Sequence, residues 1–178
     1  MIRIDYAIMQ AALQCVAKND ARYYLKGVLI DTDGTVVATD GAIMFVGKSS
    51  HAVPLGQMLF KFPIKPPAKY DHVLVDHDTM TAKFITGESS TILPIESIDG
   101  KFPDYKRLMN SFTHGEDGNV GLNAKYLTLM GKIGKLFNGC ALLELGVDAT
   151  SMMRWKIYQG KHGEPVESAQ VYLMPCRM

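Results

Sequence analysis

From Ser49 to Ser111 the sequence has no helical period, which limits what the rest of the chain can build. Its apolar residues fall into short strand-like runs, at positions 59–64, 72–76, 82–85 and 91–95, parted by turn residues. Pro66-Pro67 lies among them, and adjacent prolines forbid a helix continuing through them. Helical spacing survives only on the flanks. Over residues 6–18, Ile8, Ala12, Cys15 and Val16 share one face and Gln10, Gln14 and Lys18 another, with Asp5 placed to accept the free amides of the first turn. Over residues 123–137, Tyr126, Leu129, Met130, Ile133, Leu136 and Phe137 form an apolar face, joined by Leu122 just ahead of the helix. Lys125, Thr128, Lys132 and Lys135 form a polar stripe, and Asn138-Gly139 makes a fitting stop.

Strand patterns surround each helix. After the first come Tyr23 to Ile30, a turn at Asp31-Thr32-Asp33-Gly34, Thr35 to Ala38, a turn at Asp40-Gly41, and Ile43 to Val46. After the second come Ala141 to Val147, Met153 to Tyr158 and Ala169 to Met174. The chain therefore reads as α+β, with two helices packed on antiparallel β-sheets and two similar strand–helix–three-strand halves (βαβββ). We expect one domain over 1–178, with a first half at 1–48, a β-rich middle at 49–113 and a second half at 114–178.

A chain of 178 residues is long enough to bury a proper core, and its 47% hydrophobic and 21% charged residues are ordinary globular values. The formal charge of +1 argues against coating nucleic acid by bulk positive charge, so any DNA contact must be local to one face. Cys15, Cys140 and Cys176 have no metal-ligand spacing and are odd in number, which suits a reducing, cytoplasmic location. Met1-Ile2-Arg3-Ile4-Asp5 has no signal-peptide character, and no apolar run approaches the ~20 residues that span a bilayer.

Catalysis finds little footing. Asp71-His72 and Asp76-His77-Asp78 contain metal-ligating types, but strand alternation sends them to different faces or to the strand ends. The turn at Asp31 mimics the opening of a calcium loop and lacks the later ligands. Gly131-Lys132-Ile133-Gly134-Lys135 has no phosphate-loop spacing, and its glycines are expected to admit another backbone or to soften the helix. No catalytic residue, metal or cofactor is expected.

Three segments, in order, carry a resemblance: Val37-Ala38-Thr39-Asp40-Gly41, Gly100-Lys101-Phe102-Pro103-Asp104-Tyr105-Lys106-Arg107, and the terminal Tyr172-Leu173-Met174-Pro175-Cys176-Arg177-Met178. With Arg22-Tyr23-Tyr24-Leu25-Lys26-Gly27 and Val120-Gly121-Leu122-Asn123-Ala124-Lys125-Tyr126-Leu127, they resemble the β sliding clamps of bacterial DNA polymerase III over about two thirds of the chain. Those subunits have three domains and about twice the length, so this chain looks like an abbreviated relative.

The resemblance implies a processivity factor: a homo-oligomer that encircles duplex DNA without sequence preference and binds short peptides of polymerases and clamp loaders. Lys125, Thr128, Lys132 and Lys135, with Lys18 and Arg22, would then face DNA phosphates, although a lysine stripe is also what a solvated helix face carries. The peptide pocket would be built from Thr39, Gly41, Met44, Pro103, Arg107, Leu108, Tyr172, Met174 and Met178, whose methionines suit varied apolar anchors. Ala42-Ile43 replaces the His-Arg of the family, removing two polar wall groups. The alternative is a clamp-derived module that never forms a ring and serves as adaptor or decoy for clamp-binding peptides.

Overall fold

The structure, a computed structural model, describes residues 1–49, 56–115, 120–137, 141–159 and 166–175. Strand β1 (Ile2–Asp5) runs straight into helix α1 (Tyr6–Cys15), whose first amide bonds the Asp71 carbonyl. Asp5 sits at the N-cap without a side-chain capping bond and instead lies 3.6 Å from Arg3. The helix ends at Cys15, short of the expected Lys18, because Val16 is already extended.

A 3-10 turn at Tyr23–Lys26 replaces the first part of the strand expected from Tyr23; only β2 (Val28–Ile30) pairs. Strands β3 (Thr35–Thr39) and β4 (Ile43–Lys48) follow, with Gly34 and Gly41 at positive φ in the two turns. The middle supplies β5 (Met58–Lys61), β6 (His72–Asp76), β7 (Thr81–Thr86), β8 (Ser89–Pro94) and β9 (Glu96–Ser97). No helix forms at Pro66-Pro67. A short helix not expected there, α2 (Tyr105–Asn110), is capped by the Asp104 carboxylate accepting from the Arg107 amide. Helix α3 (Ala124–Leu136) is capped by Asn123, and β10 (Ala141–Glu144), β11 (Met153–Gln159) and β12 (Val166–Leu173) close the chain. Of the strand expected ahead of α3, the described residues show only an isolated bridge, His114 to Gly146. The expected stop at Asn138-Gly139 lies outside the described residues.

The strands form two antiparallel sheets, of order β1-β6-β7-β8 and β10-β11-β12-β4-β3-β2-β5-β9. At the centre of the larger sheet, β3 is buried throughout and β4 up to Gly47, so its alternating side chains enter two cores. Val36, Ala38, Ile43 and Phe45 join α1 and α3 on one face; Val37, Met44, Val46 and Leu29 join Tyr105 and Phe102 on the other. Helices α1 and α3 lie against each other. The smaller sheet is tied in by edge-on aromatic contacts, Tyr6 to Tyr70 and Tyr70 to Phe84, each 4.9 Å between ring centres. Gly131 and Gly134 face open space rather than another backbone.

Candidate peptide pocket and basic groove

Register brings the first segment to the last. Strand β12 pairs antiparallel with β4, placing Tyr172 opposite Met44 and Leu173 opposite Ile43, and the Met174 amide continues the ladder to the Ala42 carbonyl at 2.9 Å. Thr39 lies opposite Met44 across β3–β4. Helix α2 then packs over this corner, with Tyr105 in the same apolar cluster as Met44 and Tyr172.

The result is a cavity of about 180 Å³ lined by Thr39, Gly41, Met44, Pro103, Leu108, Tyr172 and Met174, joined by Arg22, Leu25, Ala42, Ile43, Asp104, Tyr105 and Met152. Leu108 and Met174 keep 37% and 45% of their surface exposed, so apolar area remains for a ligand to cover. Arg107 does not line the cavity, and Met178 lies outside the described residues.

The Thr39–Ile43 turn is rigid for identifiable reasons. The Thr39 hydroxyl donates to the Ile43 carbonyl at 2.7 Å and accepts from the Gly41 amide at 3.0 Å, while Asp40 Oδ1 accepts from the amides of Ala42 and Ile43 at 2.9 and 3.0 Å. Gly41 has φ +92°, and a Cβ there would stand 2.6 Å from the Arg22 guanidinium. Arg22 is itself held by Asp20, with Nε to Oδ1 at 3.0 Å and Nη2 to Oδ2 at 2.7 Å. Those bonds, side chain first and backbone second, hold the Asp20 carboxyl down at about 2. Arg22 thus stands at the cavity, away from the helix stripe with which the sequence reading grouped it. Tyr105 and Met152 line the cavity in addition to the residues expected from the sequence; Tyr105 belongs to the Phe-Pro-Asp-Tyr segment, whereas nothing local in the sequence marks Met152.

A second concavity lies between the end of α1 and α3. It gathers Lys18, Lys125, Thr128 and Lys132 with Gln14, Asp20 and Asp40; Lys135 lies beyond it on the exposed face of α3. Lys125 is not a free cation. Its Nζ is 3.6 Å from Asp40 Oδ2 and 4.6 Å above the Tyr126 ring, and the Tyr126 hydroxyl donates to the same Asp40 oxygen at 3.1 Å. Contact with the Tyr126 hydroxyl first, and Asp40 after it, pushes the Lys125 pKa up. Asp40 therefore braces the cavity turn with one oxygen and the groove with the other. The histidine and aspartate pairs of β6 form no nest: His77 lies 3.6 Å from Asp78 at the strand end, and Asp71 accepts from the Gly87 amide. Among the described residues no three metal-ligating side chains come together.

The chain is 30% identical over 126 residues to the β sliding clamp of Escherichia coli K12 and 29% identical over 111 residues to that of Vibrio cholerae. The whole described fold also superposes on solved clamps: TM-score 0.66 at 15% identity with the Helicobacter pylori β clamp bound to a DNA ligase peptide, and 0.61 at 17% identity with the Pseudomonas aeruginosa clamp, each covering 99% of this chain. The chain is similar to the bacterial β sliding clamps. No protein-family model matches it. The sequence matches span 62% and 55% of this chain but only 33% and 29% of those two clamps, and the superpositions cover about two thirds of the solved ones. The clamp-like architecture is α+β, with its helices packed on antiparallel sheets.

Proposed function

We propose that this clamp-like chain is a processivity factor of DNA replication: a non-enzymatic, cytoplasmic homo-oligomer whose copies hold duplex DNA by its backbone and tether polymerase and clamp-loader-type proteins through short peptides. The chain would act as a single clamp-like domain over 1–178. The observation that carries the reading is the cavity, because segments around residues 40, 105 and 172 have no local reason to meet and together present exposed leucine and methionine above a buried apolar floor. Such a floor suits an extended peptide that seats one or two apolar anchors. Lys18, Lys125, Thr128 and Lys132 in one groove, with Lys135 nearby, support contact with phosphate rather than with base edges.

Calorimetry with a short peptide carrying Leu and Phe tests the pocket. Burying one apolar anchor is worth about 1.5–3 kcal/mol, so Met174→Glu should weaken binding by at least ~10-fold without unfolding the protein. Equal binding by parent and variant, or none by either, refutes it. If the parent binds the peptide but no duplex, the adaptor or decoy reading takes precedence.

A further inference from the structure

The Asp31 turn does more than reverse the chain. The Asp31 side chain is only 2% exposed, yet its carboxylate receives donors from three parts of the fold. Oδ2 accepts from the Tyr105 hydroxyl at 2.5 Å and from Lys106 Nζ at 2.8 Å; Oδ1 accepts from Gln57 Nε2 at 3.0 Å and from the Thr32 amide and hydroxyl at 2.7 and 3.3 Å. The carboxylate is fixed in turn by the β2–β3 hairpin, where the Asp31 amide donates to the Thr35 carbonyl at 2.8 Å and the Gly34 amide donates to the Asp31 carbonyl at 2.9 Å.

A buried charge of this kind costs desolvation that apolar packing would avoid, so its use calls for a geometric reason. Helix α2 supplies one. At six residues it is too short to hold its own shape, and apolar contact alone is non-directional and leaves its height over the sheet loosely set. Two consecutive α2 side chains, Tyr105 and Lys106, are pinned to one oxygen of a carboxylate that cannot move, and Tyr105 also lines the cavity.

We infer that Asp31 is the positioning residue of the peptide pocket, setting through Tyr105 and Lys106 the place of the wall formed by Pro103, Tyr105 and Leu108. The inference rests on the peptide-binding reading above. Asp31→Asn keeps the shape but turns an amide N–H toward at least one of the incoming donors. It should raise the dissociation constant for a short Leu/Phe peptide about tenfold. Duplex affinity should stay unchanged, since α1 and α3 cover the opposite face of the sheet. In a Leu108→Ala background, where the wall is already gone, the same substitution should cost much less.

Parent-like peptide binding by Asp31→Asn, or an equal cost in both backgrounds, overturns the inference while leaving the pocket itself standing. Should Asp31→Asn fail to fold, Tyr105→Phe keeps the ring and removes the hydroxyl. It should cost about threefold in peptide affinity with duplex binding intact, and no change overturns the inference. A parent protein that binds no peptide removes the pocket reading, and the positioning role with it.

Discussion

At the residue scale the molecule relies on a few carboxylates that each do two jobs. Asp40 closes the cavity turn and ties down Lys125; Glu144 receives Arg154 and, at 3.0 Å, Lys156 across β10–β11. Asp31 is the most deeply placed. Burial pushes its carboxyl up, but the bonds from Lys106, Tyr105, Gln57 and Thr32 outweigh burial and hold it well below the usual carboxylate range. The sign of its effect on stability follows from linkage: a carboxyl depressed in the folded state contributes fully above the unfolded value of about 3.9, and the contribution is lost as pH falls below that value toward the folded one. The melting temperature of the parent should therefore fall more steeply below about pH 4 than that of Asp31→Asn. Thermal unfolding followed from pH 7 to pH 2 checks this; parallel curves would mean that folding does not lower the Asp31 pKa.

At the scale of elements, the two long helices were legible because each has enough turns for its apolar face to repeat. Helix α2 was not: within Tyr105–Asn110 a single buried side chain, Tyr105, marks its inner face, and the sequence around it reads as loop. Residues 23–26 carry strand-forming tyrosines, yet the chain must turn there so that Leu25 can pack and its carbonyl can accept from the Ala17 amide, a tertiary demand that overrides propensity. Of the candidate sites, the three pocket segments were legible from their likeness to a known family, whereas the place of Arg22 depends on its pairing with Asp20 and the floor residue Met152 on the sheet register.

Helix α3 offers two tests of its own. Gly131 and Gly134 have ordinary negative φ and open space where a side chain would go. Alanine at either should stabilise the protein by up to about 1 kcal/mol, seen as a higher denaturant midpoint; a loss would reveal a close approach that the fold does not contain. Replacing Lys125, Lys132 and Lys135 with alanine should weaken binding to unrelated duplexes alike and flatten the slope of log affinity against log salt by up to roughly three units. Among the single variants, Lys132→Ala should cost more than Lys135→Ala, because only the former lines the groove. An unchanged slope in the triple variant would identify the stripe as a solvated face.

At the scale of the whole molecule, both sheets end on edges that carry exposed apolar side chains. Strand β8 shows Ile92 at 60% exposure and β10 shows Leu142 at 51%. Natural proteins usually blunt a solvent-facing edge with charge, proline or a bulge; here that protection is confined to the strand ends, Pro94 in β8 and Glu144 in β10, the latter paired with Arg154 and Lys156. Association of copies would cover these edges, and non-identical edges on one chain join head to tail, the arrangement from which rings close. The expected native mass at micromolar concentration is a multiple of 19.7 kDa; a monomer there would remove the ring and favour the adaptor.

The pairing of β12 with β4 also sets an order of events. Ala169 bonds beside Gly47, so the ladder that frames the cavity joins parts of the chain that leave the ribosome far apart in time. Hairpins such as β3–β4 can close early because their loop is short, but the remote strand must pay the entropy of closing a much longer one before it gains any contact. Until β12 has been synthesised and has docked, Tyr172 and Met174 are missing from the cavity, and a nascent chain has no complete seat for a peptide.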